Sequence, residues 1–178
     1  MAMLLNEEQG MLKDAAQGYL KTSAPIAQLR KLRDSESADG FDRKTWKDMA
    51  EMGWASVLVP EEHGGVAMGH VAAGVIAEEM GRTLTASPFL STAILGATAL
   101  TRFGSEAQKG EYLPRLAAGD FLTALAVDET HKHSPSNVTT TAQRSGNGFK
   151  LDGRKAFVAD GHVADMLIVS ARTAGAEG

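Results

Sequence analysis

The stretch DRKTWKDMAEMGWASVLVPEEHGG, residues 42–65, decides the fold because it contains a complete helix with both of its ends. Asp42 stands at the N-cap position, where a short polar side chain accepts a hydrogen bond from the first helical turn. Apolar residues then recur at helical spacing and predict a buried face, namely Trp46, Met49 and Ala50. Gly53 is placed to end the helix in the left-handed conformation. The segment therefore predicts a helix packed into an apolar core.

The second half of this stretch predicts a short connection and a tight turn. Trp54–Val59 is apolar and is closed by Pro60, after which the polar sequence of residues 61–65 follows. Gly64 and Gly65 are expected to supply positive-φ positions for the turn. Both tryptophans of the stretch are expected to be core residues and not ligand platforms.

Similar signals on both sides predict a helical region from Asn6 to Ala118. Capping-box spacing marks two helix starts, at Asn6 with Gln9 and at Ser105 with Gln108. Prolines are placed to open two other helices, and one more helix is predicted from His70 to Met80. Pro114 is expected to divide the last helical stretch into two pieces. Glu78 and Glu79 are expected to form a solvated helix face.

After Gly119 the pattern changes to short β-rich segments separated by turns. Strands are predicted over residues 121–127, 138–144, 149–152, 155–158 and 166–171. Ser145–Gly148 is the strongest hairpin signal. Residues 1–119 and 120–178 are therefore expected to be separate domains. The few strands lack a second layer, so the chain is expected to be cut short within its β domain.

Composition excludes several classes of function. The chain has 178 residues, 43% hydrophobic content and a net charge of −4. Its basic residues are scattered and form no cluster of the kind that binds nucleic acid. Cysteine is absent, which excludes disulfides, thiolate chemistry and cysteine–zinc sites. No signal-peptide pattern or apolar run long enough for a membrane span is visible. The expected location is cytoplasmic.

Several segments, in the order of the chain, resemble the acyl-CoA dehydrogenase family. Residues 46–65 are similar to the family signature "W..l.e.Gw…vPEe.GG", and residues 103–114 to "fGteeqK..yLp". The remaining segments that resemble the family are residues 6–9, 77–82, 148–155 and 164–165. The resemblance implies an α+β fold: an N-terminal all-α helical domain, then the first strands of an antiparallel β-barrel domain, in truncated form.

The resemblance also implies a chemistry. Family members are FAD-dependent and desaturate an acyl-CoA thioester, with a carboxylate removing the α-proton while the β-hydrogen leaves as hydride to the flavin. The family's catalytic glutamate lies in a C-terminal helical domain that this sequence does not contain. No catalytic residue is therefore assigned, Glu129 included, and the 178 residues alone are expected to be inactive.

Cofactor contacts are implied by the two flavin-contacting segments of the family, which fall on Asp128–Pro135 and Phe157–Ala159. The implied contact residues are Leu125, Val127, Asp128, Ser134, Phe157, Val158 and Ala159. In the pattern "TEp.aGSD" only Glu129 and Ser134 match, and Ala159 stands where the family has a hydroxyl. Two lost hydrogen-bonding side chains cost about 0.5–1.5 kcal/mol each. Weakened FAD binding is therefore predicted.

The implied partners are an acyl-CoA substrate, an electron-transfer flavoprotein, and further copies of the chain or a related subunit. His131 and His133 are interpreted as a polar loop, and no metal site is predicted. Two other functions remain open. One is a family-like subunit without flavin that has a structural role beside an active partner. The other is a helical interaction module of 178 residues, which the unfinished β region disfavours.

Overall fold

A computed structural model describes residues 4–175 of the chain. Six α-helices, a short 3-10 helix (Glu61–His63) and a π-helical segment precede four strands, so the predicted change from helices to strands is present, with one strand fewer than expected. The helices are α1 Glu7–Ser23, α2 Ile26–Asp34, α3 Arg43–Glu51, α4 Gly69–Thr83, α5 Ala97–Phe103 and α6 Glu106–Ala117. The π-helical segment, Phe89–Gly96, runs directly into α5. No helix of residues 4–175 has the length and apolarity that crossing a membrane requires.

Helix ends follow the local signals closely. Both predicted capping boxes are present, at Asn6 with Gln9 and at Ser105 with Gln108. Asp42 Oδ1 accepts a hydrogen bond of 2.7 Å from Thr45 N–H at the start of α3. Gly53 follows the end of α3 with a φ of 82°. These predictions are confirmed because a cap depends only on residues within one helical turn.

The core lies between α1, α3, α4 and the π-helical segment. Trp54 is 2% exposed and packs edge-on against the ring of Tyr19, with 5.7 Å between centroids. Trp46 is also buried, and its indole N–H donates to the carbonyl of Gly119 at 3.0 Å. Both tryptophans are therefore core residues, as predicted. The hydrogen bond from Trp46 also holds Gly119, at the end of the helical region, against α3.

Pro114 does not divide the last helix, so that prediction is wrong. Helix α6 continues through it from Glu106 to Ala117. Proline removes one hydrogen bond here, the bond to the carbonyl of Gly110. Leu113 and Leu116 are fully buried on either side of it. Their packing holds the helix against the core and offsets the lost bond.

The prediction of a solvated face at Glu78 and Glu79 is wrong for one of the two residues. Glu78 is exposed, but Glu79 is 1% exposed. Its carboxylate accepts a hydrogen bond of 3.1 Å from Arg82 Nε, and α4 extends to Thr83, past the predicted end. The guanidinium of Arg82 also contacts Glu78, so one cation serves both acids. Hydrophobic spacing alone does not reveal that Glu79 is buried with a half-exposed arginine as its partner.

The turn after Pro60 uses its two glycines for different reasons. Gly64 has a φ of 81°, as predicted. Gly65 does not have positive φ, and this part of the prediction is wrong. A Cβ atom at Gly65 would lie 1.8 Å from the carbonyl oxygen of Val59. Gly65 is therefore required by a close approach of two backbone segments.

The strands are β1 Thr123–Ala126, β2 Thr141–Ser145, β3 Gly148–Asp152 and β4 Met166–Val169. β2 and β3 form the predicted antiparallel hairpin, with Ser145 opposite Gly148. β1 pairs with β4 in parallel, with Thr123 opposite Met166. The α+β fold class is confirmed. The strand predicted over 155–158 is not formed, because Phe157 has a φ of 52° and turns the chain.

Candidate functional site

Strand β1 sits with one face on the helical core and the other face open. Ala124 and Ala126 are fully buried, whereas Leu125 and Val127 are half-buried on the opposite face. At the start of β1, the side chain of Thr123 is buried close to Gly96 of the π-helical segment, where an added Cβ would lie 1.7 Å from Thr123 Oγ1. The alternation of a β-strand thus brings two of the implied cofactor contacts, Leu125 and Val127, to one outward surface.

Thr92 fixes β1 against the helices. Its hydroxyl donates to the carbonyl of Thr123 at 3.2 Å and accepts from Thr123 N–H at 3.0 Å. All of these atoms are buried. The reciprocal pair satisfies two main-chain groups that would otherwise lack partners in the core. The local sequence around Thr92 does not indicate this role, because Thr123 lies 31 positions away.

An open main-chain edge lies at Leu125, two residues after Thr123 in β1. The amides of Met166 and Ser170 donate to the carbonyls of Leu122 and Ala126, on the β4 side. Alternate residues direct their main-chain groups to opposite edges, so those of Leu125 point away from β4. Within residues 4–175, no hydrogen bond outside the β1–β4 pair reaches them. Leu125 therefore offers a donor and an acceptor to a ligand at this edge.

The loop after β1 is organised by the carboxylate of Asp128. Its Oδ1 accepts from Ser134 N–H at 3.0 Å, and its Oδ2 lies 3.0 Å from His133 Nδ1. The hydrogen bond with His133, and then that from Ser134, hold the pKa of the Asp128 carboxyl below its usual range. Asp128 and Ser134 are thus brought together, but the carboxylate is engaged within its own loop.

Phe157–Ala159 forms the second part of the site as a turn. Ala156 N–H donates to the carbonyl of Asp128 at 2.8 Å, which places this turn beside the end of β1. The ring of Phe157 is 79% exposed. Val158 is half-buried, and Ala159 is exposed and has no hydroxyl to offer. The turn therefore presents an exposed aromatic ring near the end of β1.

The far end of this turn is held by the helical core. Ser91 Oγ, which is buried, donates to Asp160 Oδ2 at 2.5 Å. Asp160 has a φ of 56°, a conformation that a non-glycine residue adopts at some cost. The contact spans 69 positions of sequence. It fixes the turn relative to the π-helical segment.

Glu129 and Lys155 form a buried ion pair beneath the site. Their carboxylate and ammonium groups are 2.8 Å apart. The hydrogen bond from Lys155, and then those from Thr139 and Thr140, hold the pKa of Glu129 far below its usual range. Glu129 matches the family pattern, but its place in the sequence does not indicate that it is buried and paired with Lys155.

Acidification is expected to weaken the fold through Glu129. A carboxyl whose folded pKa is depressed contributes stability above its unfolded pKa of 4.5 and loses it as pH falls toward the folded value. The free energy of unfolding, measured in urea at pH values from about 6 to about 3, should fall less steeply for Glu129→Gln than for the native chain. Equal slopes would contradict the assignment of this carboxylate as a stabilising group.

The histidines of the loop do not converge on a metal. His133 contacts Asp128, and His131 is exposed. Among residues 4–175 there is no group of three histidine, aspartate or glutamate side chains that could hold a metal ion.

These residues fit the edge of a flavin ring. A planar heteroaromatic ring needs main-chain donors and acceptors along one side and apolar contact on its faces. The free main-chain groups of Leu125 supply the first, and the exposed ring of Phe157 and the outward side chain of Val127 supply the second. The fit is limited to the ring of the flavin. Beyond the ring, the Asp128 carboxylate is already hydrogen-bonded within its own loop, and Ala159 has no hydroxyl to donate.

The family model for the acyl-CoA dehydrogenase N-terminal domain matches residues 6–120. A mitochondrial isovaleryl-CoA dehydrogenase from Pongo abelii is 31% identical over 175 residues, which cover 95% of this chain and 40% of the relative. The chain thus spans less than half the length of this curated relative.

Solved structures agree in fold. The ChsE4–ChsE5 complex from Mycobacterium tuberculosis matches with a TM-score of 0.85 and 26% identity, over 99% of this chain and 47% of that one. An acyl-CoA dehydrogenase complexed with FAD from Bacillus anthracis matches with a TM-score of 0.82 and 28% identity, over 94% and 30%.

Proposed function

This chain belongs to the acyl-CoA dehydrogenase family, and from that premise we propose that it forms the front part of an FAD-dependent acyl-CoA dehydrogenase. Residues 1–119 are its helical domain, and residues 120–178 begin the β domain that carries the flavin. The observation that supports this most strongly is the open main-chain edge at Leu125, on a strand whose end lies beside the turn that carries the exposed ring of Phe157.

Each residue of the site has a distinct part in this proposal. The main chain of Leu125 binds the hydrogen-bonding edge of the ring, and Val127, Val158 and Phe157 cover its faces. Asp128 and Ser134 shape the loop beside it, and Ala159 contributes main-chain contact only. Bound FAD supplies the acceptor for the hydride that leaves the β-carbon of the substrate.

The whole protein then acts on an acyl-CoA thioester and delivers electrons to an electron-transfer flavoprotein. The general base that removes the α-proton comes from outside these 178 residues, because the acids at the site, Asp128, Glu129 and Asp160, are all hydrogen-bonded within the protein. Glu129 accepts hydrogen bonds from Lys155, Thr139 and Thr140 and is held ionised within the protein. We also propose assembly into an oligomer of identical or related subunits.

The test is flavin loading followed by anaerobic reduction. The native protein that carries this chain is incubated with FAD, freed of excess and examined by visible absorbance. We expect a retained flavin band that is lost on adding an acyl-CoA, with isovaleryl-CoA as the first compound because the Pongo abelii relative is named for it. Acetyl-CoA, which has no β-carbon, is the control. A protein that retains no flavin, or whose flavin no acyl-CoA reduces, would contradict the proposal.

A second candidate function is a family-like subunit without flavin that stabilises an active partner. It is favoured by the engagement of Asp128 within its own loop and by the missing hydroxyl at Ala159. It predicts that the native protein is colourless and co-purifies with a related, flavin-bearing chain. A stable, flavin-loaded oligomer of identical subunits would exclude it.

A further inference from the structure

The ion pair of Glu129 and Lys155 joins every segment of the candidate site. Its two side chains are 6% and 9% exposed, and they are 26 positions apart in sequence. Each charge would be costly to bury alone. The two charged groups therefore stay paired, and they fix the positions of the main-chain groups to which they are hydrogen-bonded.

At the carboxylate end, Glu129 fastens the base of a loop. Oε2 accepts from Thr139 N–H at 2.8 Å and from the Thr139 hydroxyl. Oε1 accepts from Thr140 N–H at 2.9 Å and from Lys155 Nζ. Because Glu129 lies near the start of the segment between β1 and β2, and Thr139 and Thr140 lie at its end, one carboxylate closes the loop that contains Ser134.

At the ammonium end, Lys155 fastens the strands. Its Nζ donates to the carbonyl of Val127 at 3.1 Å and to Ser170 Oγ at 2.9 Å, besides Glu129. Val127 follows β1 and Ser170 follows β4. All three ammonium donors are thus used. Lys155 also lies two residues before Phe157, so its position sets where the aromatic turn begins.

We propose that Glu129 and Lys155 are a pair of positioning residues that holds the flavin edge of β1, the Asp128–Ser134 loop and the Phe157 turn in the arrangement that binds FAD. The inference rests on the proposed function for its ligand. Neither residue needs to touch the cofactor. The pair acts by fixing the fraction of molecules in which the three segments are correctly placed, and apparent affinity falls in proportion to that fraction.

Glu129→Gln is the informative substitution because it keeps the shape and removes the charge. A carboxylate offers acceptors to all four donors around it, whereas a glutamine amide offers one oxygen and turns an NH2 group toward the remaining donors. We expect the dissociation constant for FAD to rise about tenfold or more. In the protein without FAD, peptides covering residues 130–140 should exchange amide hydrogens faster.

The experiment compares four forms of the native protein that carries this chain: unaltered, Glu129→Gln, the double variant Glu129→Gln with Lys155→Met, and Glu62→Gln as an exposed control. FAD affinity is measured by quenching of FAD fluorescence, and stability by thermal unfolding. Replacing a buried ion pair by apolar or neutral groups often restores stability. We therefore expect the double variant to recover stability but not FAD affinity, which separates positioning from folding.

Each outcome decides one of the two proposals. If the unaltered protein does not bind FAD, the proposed function fails, and hydrogen exchange over residues 130–140 still tests the pair. If Glu129→Gln binds FAD as tightly as Glu62→Gln, the pair has no positioning role. Should Glu129→Gln not fold, Glu129→Asp takes its place: it retains the charge but is one methylene too short to serve Lys155 and the loop together. Unchanged affinity in that variant would also overturn the inference.

Discussion

Replacing Thr92 by valine is expected to lower the free energy of unfolding by about 2–6 kcal/mol, because two buried main-chain groups lose their partner at about 1–3 kcal/mol each. The Thr92 hydroxyl serves both the N–H and the carbonyl of Thr123, in a fully buried setting. Valine has nearly the same shape, so packing is retained while both hydrogen bonds disappear. Urea unfolding followed by circular dichroism measures the change.

The matched control is Thr101→Val, the same substitution on α5. The Thr101 hydroxyl is buried and has no hydrogen-bond partner within residues 4–175. Its removal should leave stability unchanged or raise it slightly, since a buried hydroxyl without a partner is unfavourable. Equal losses at Thr92 and Thr101 would show that the bridge from the π-helical segment to β1 does not hold the site in place.

Gly65→Ala is expected to destabilise the fold by about 3 kcal/mol, the upper range for overpacking in a closely packed site. The added Cβ would lie 1.8 Å from the carbonyl oxygen of Val59 and 2.3 Å from its carbonyl carbon. A backbone group cannot move aside as a flexible side chain can, so the turn after Pro60 must open.

Two other glycines serve as controls for Gly65. Gly64→Ala, with a φ of 81° and no atom within 4 Å of the added Cβ, should cost only about 1 kcal/mol. Gly74→Ala, in the middle of α4 with open space around it, should stabilise by about 0.5–1 kcal/mol through helix propensity. If Gly65→Ala costs no more than Gly64→Ala, the close approach to Val59 is not a constraint on the fold.

Much of the helical region could be predicted because its signals are local. The caps at Asn6, Asp42 and Ser105 each involve residues within one turn, and a single sequence contains all that they need. Pro114 was misjudged because burial of the flanking leucines is a tertiary property. Gly65 was assigned the wrong cause because its clash partner, Val59, lies across a turn.

The candidate site was predictable only in part, for a related reason. Resemblance to the family indicated two segments, and Ala156 N–H does join the second to Asp128. The residues that hold the segments were missed, because their partners are remote: Ser91 and Asp160 are 69 positions apart. The strand expected at 155–158 is absent for a related reason, since Phe157 turns the chain with a φ of 52° and the nearby Asp160 is bound by the remote Ser91.

The most direct test of the account is equilibrium dialysis of the native protein against FAD. The open edge at Leu125 and the exposed ring of Phe157 predict saturable binding of one FAD per chain, weakened several-fold in Phe157→Ala, since loss of one aromatic contact costs about 1 kcal/mol. No saturable binding, or binding that Phe157→Ala leaves unchanged, would contradict the assignment of this surface as the flavin site.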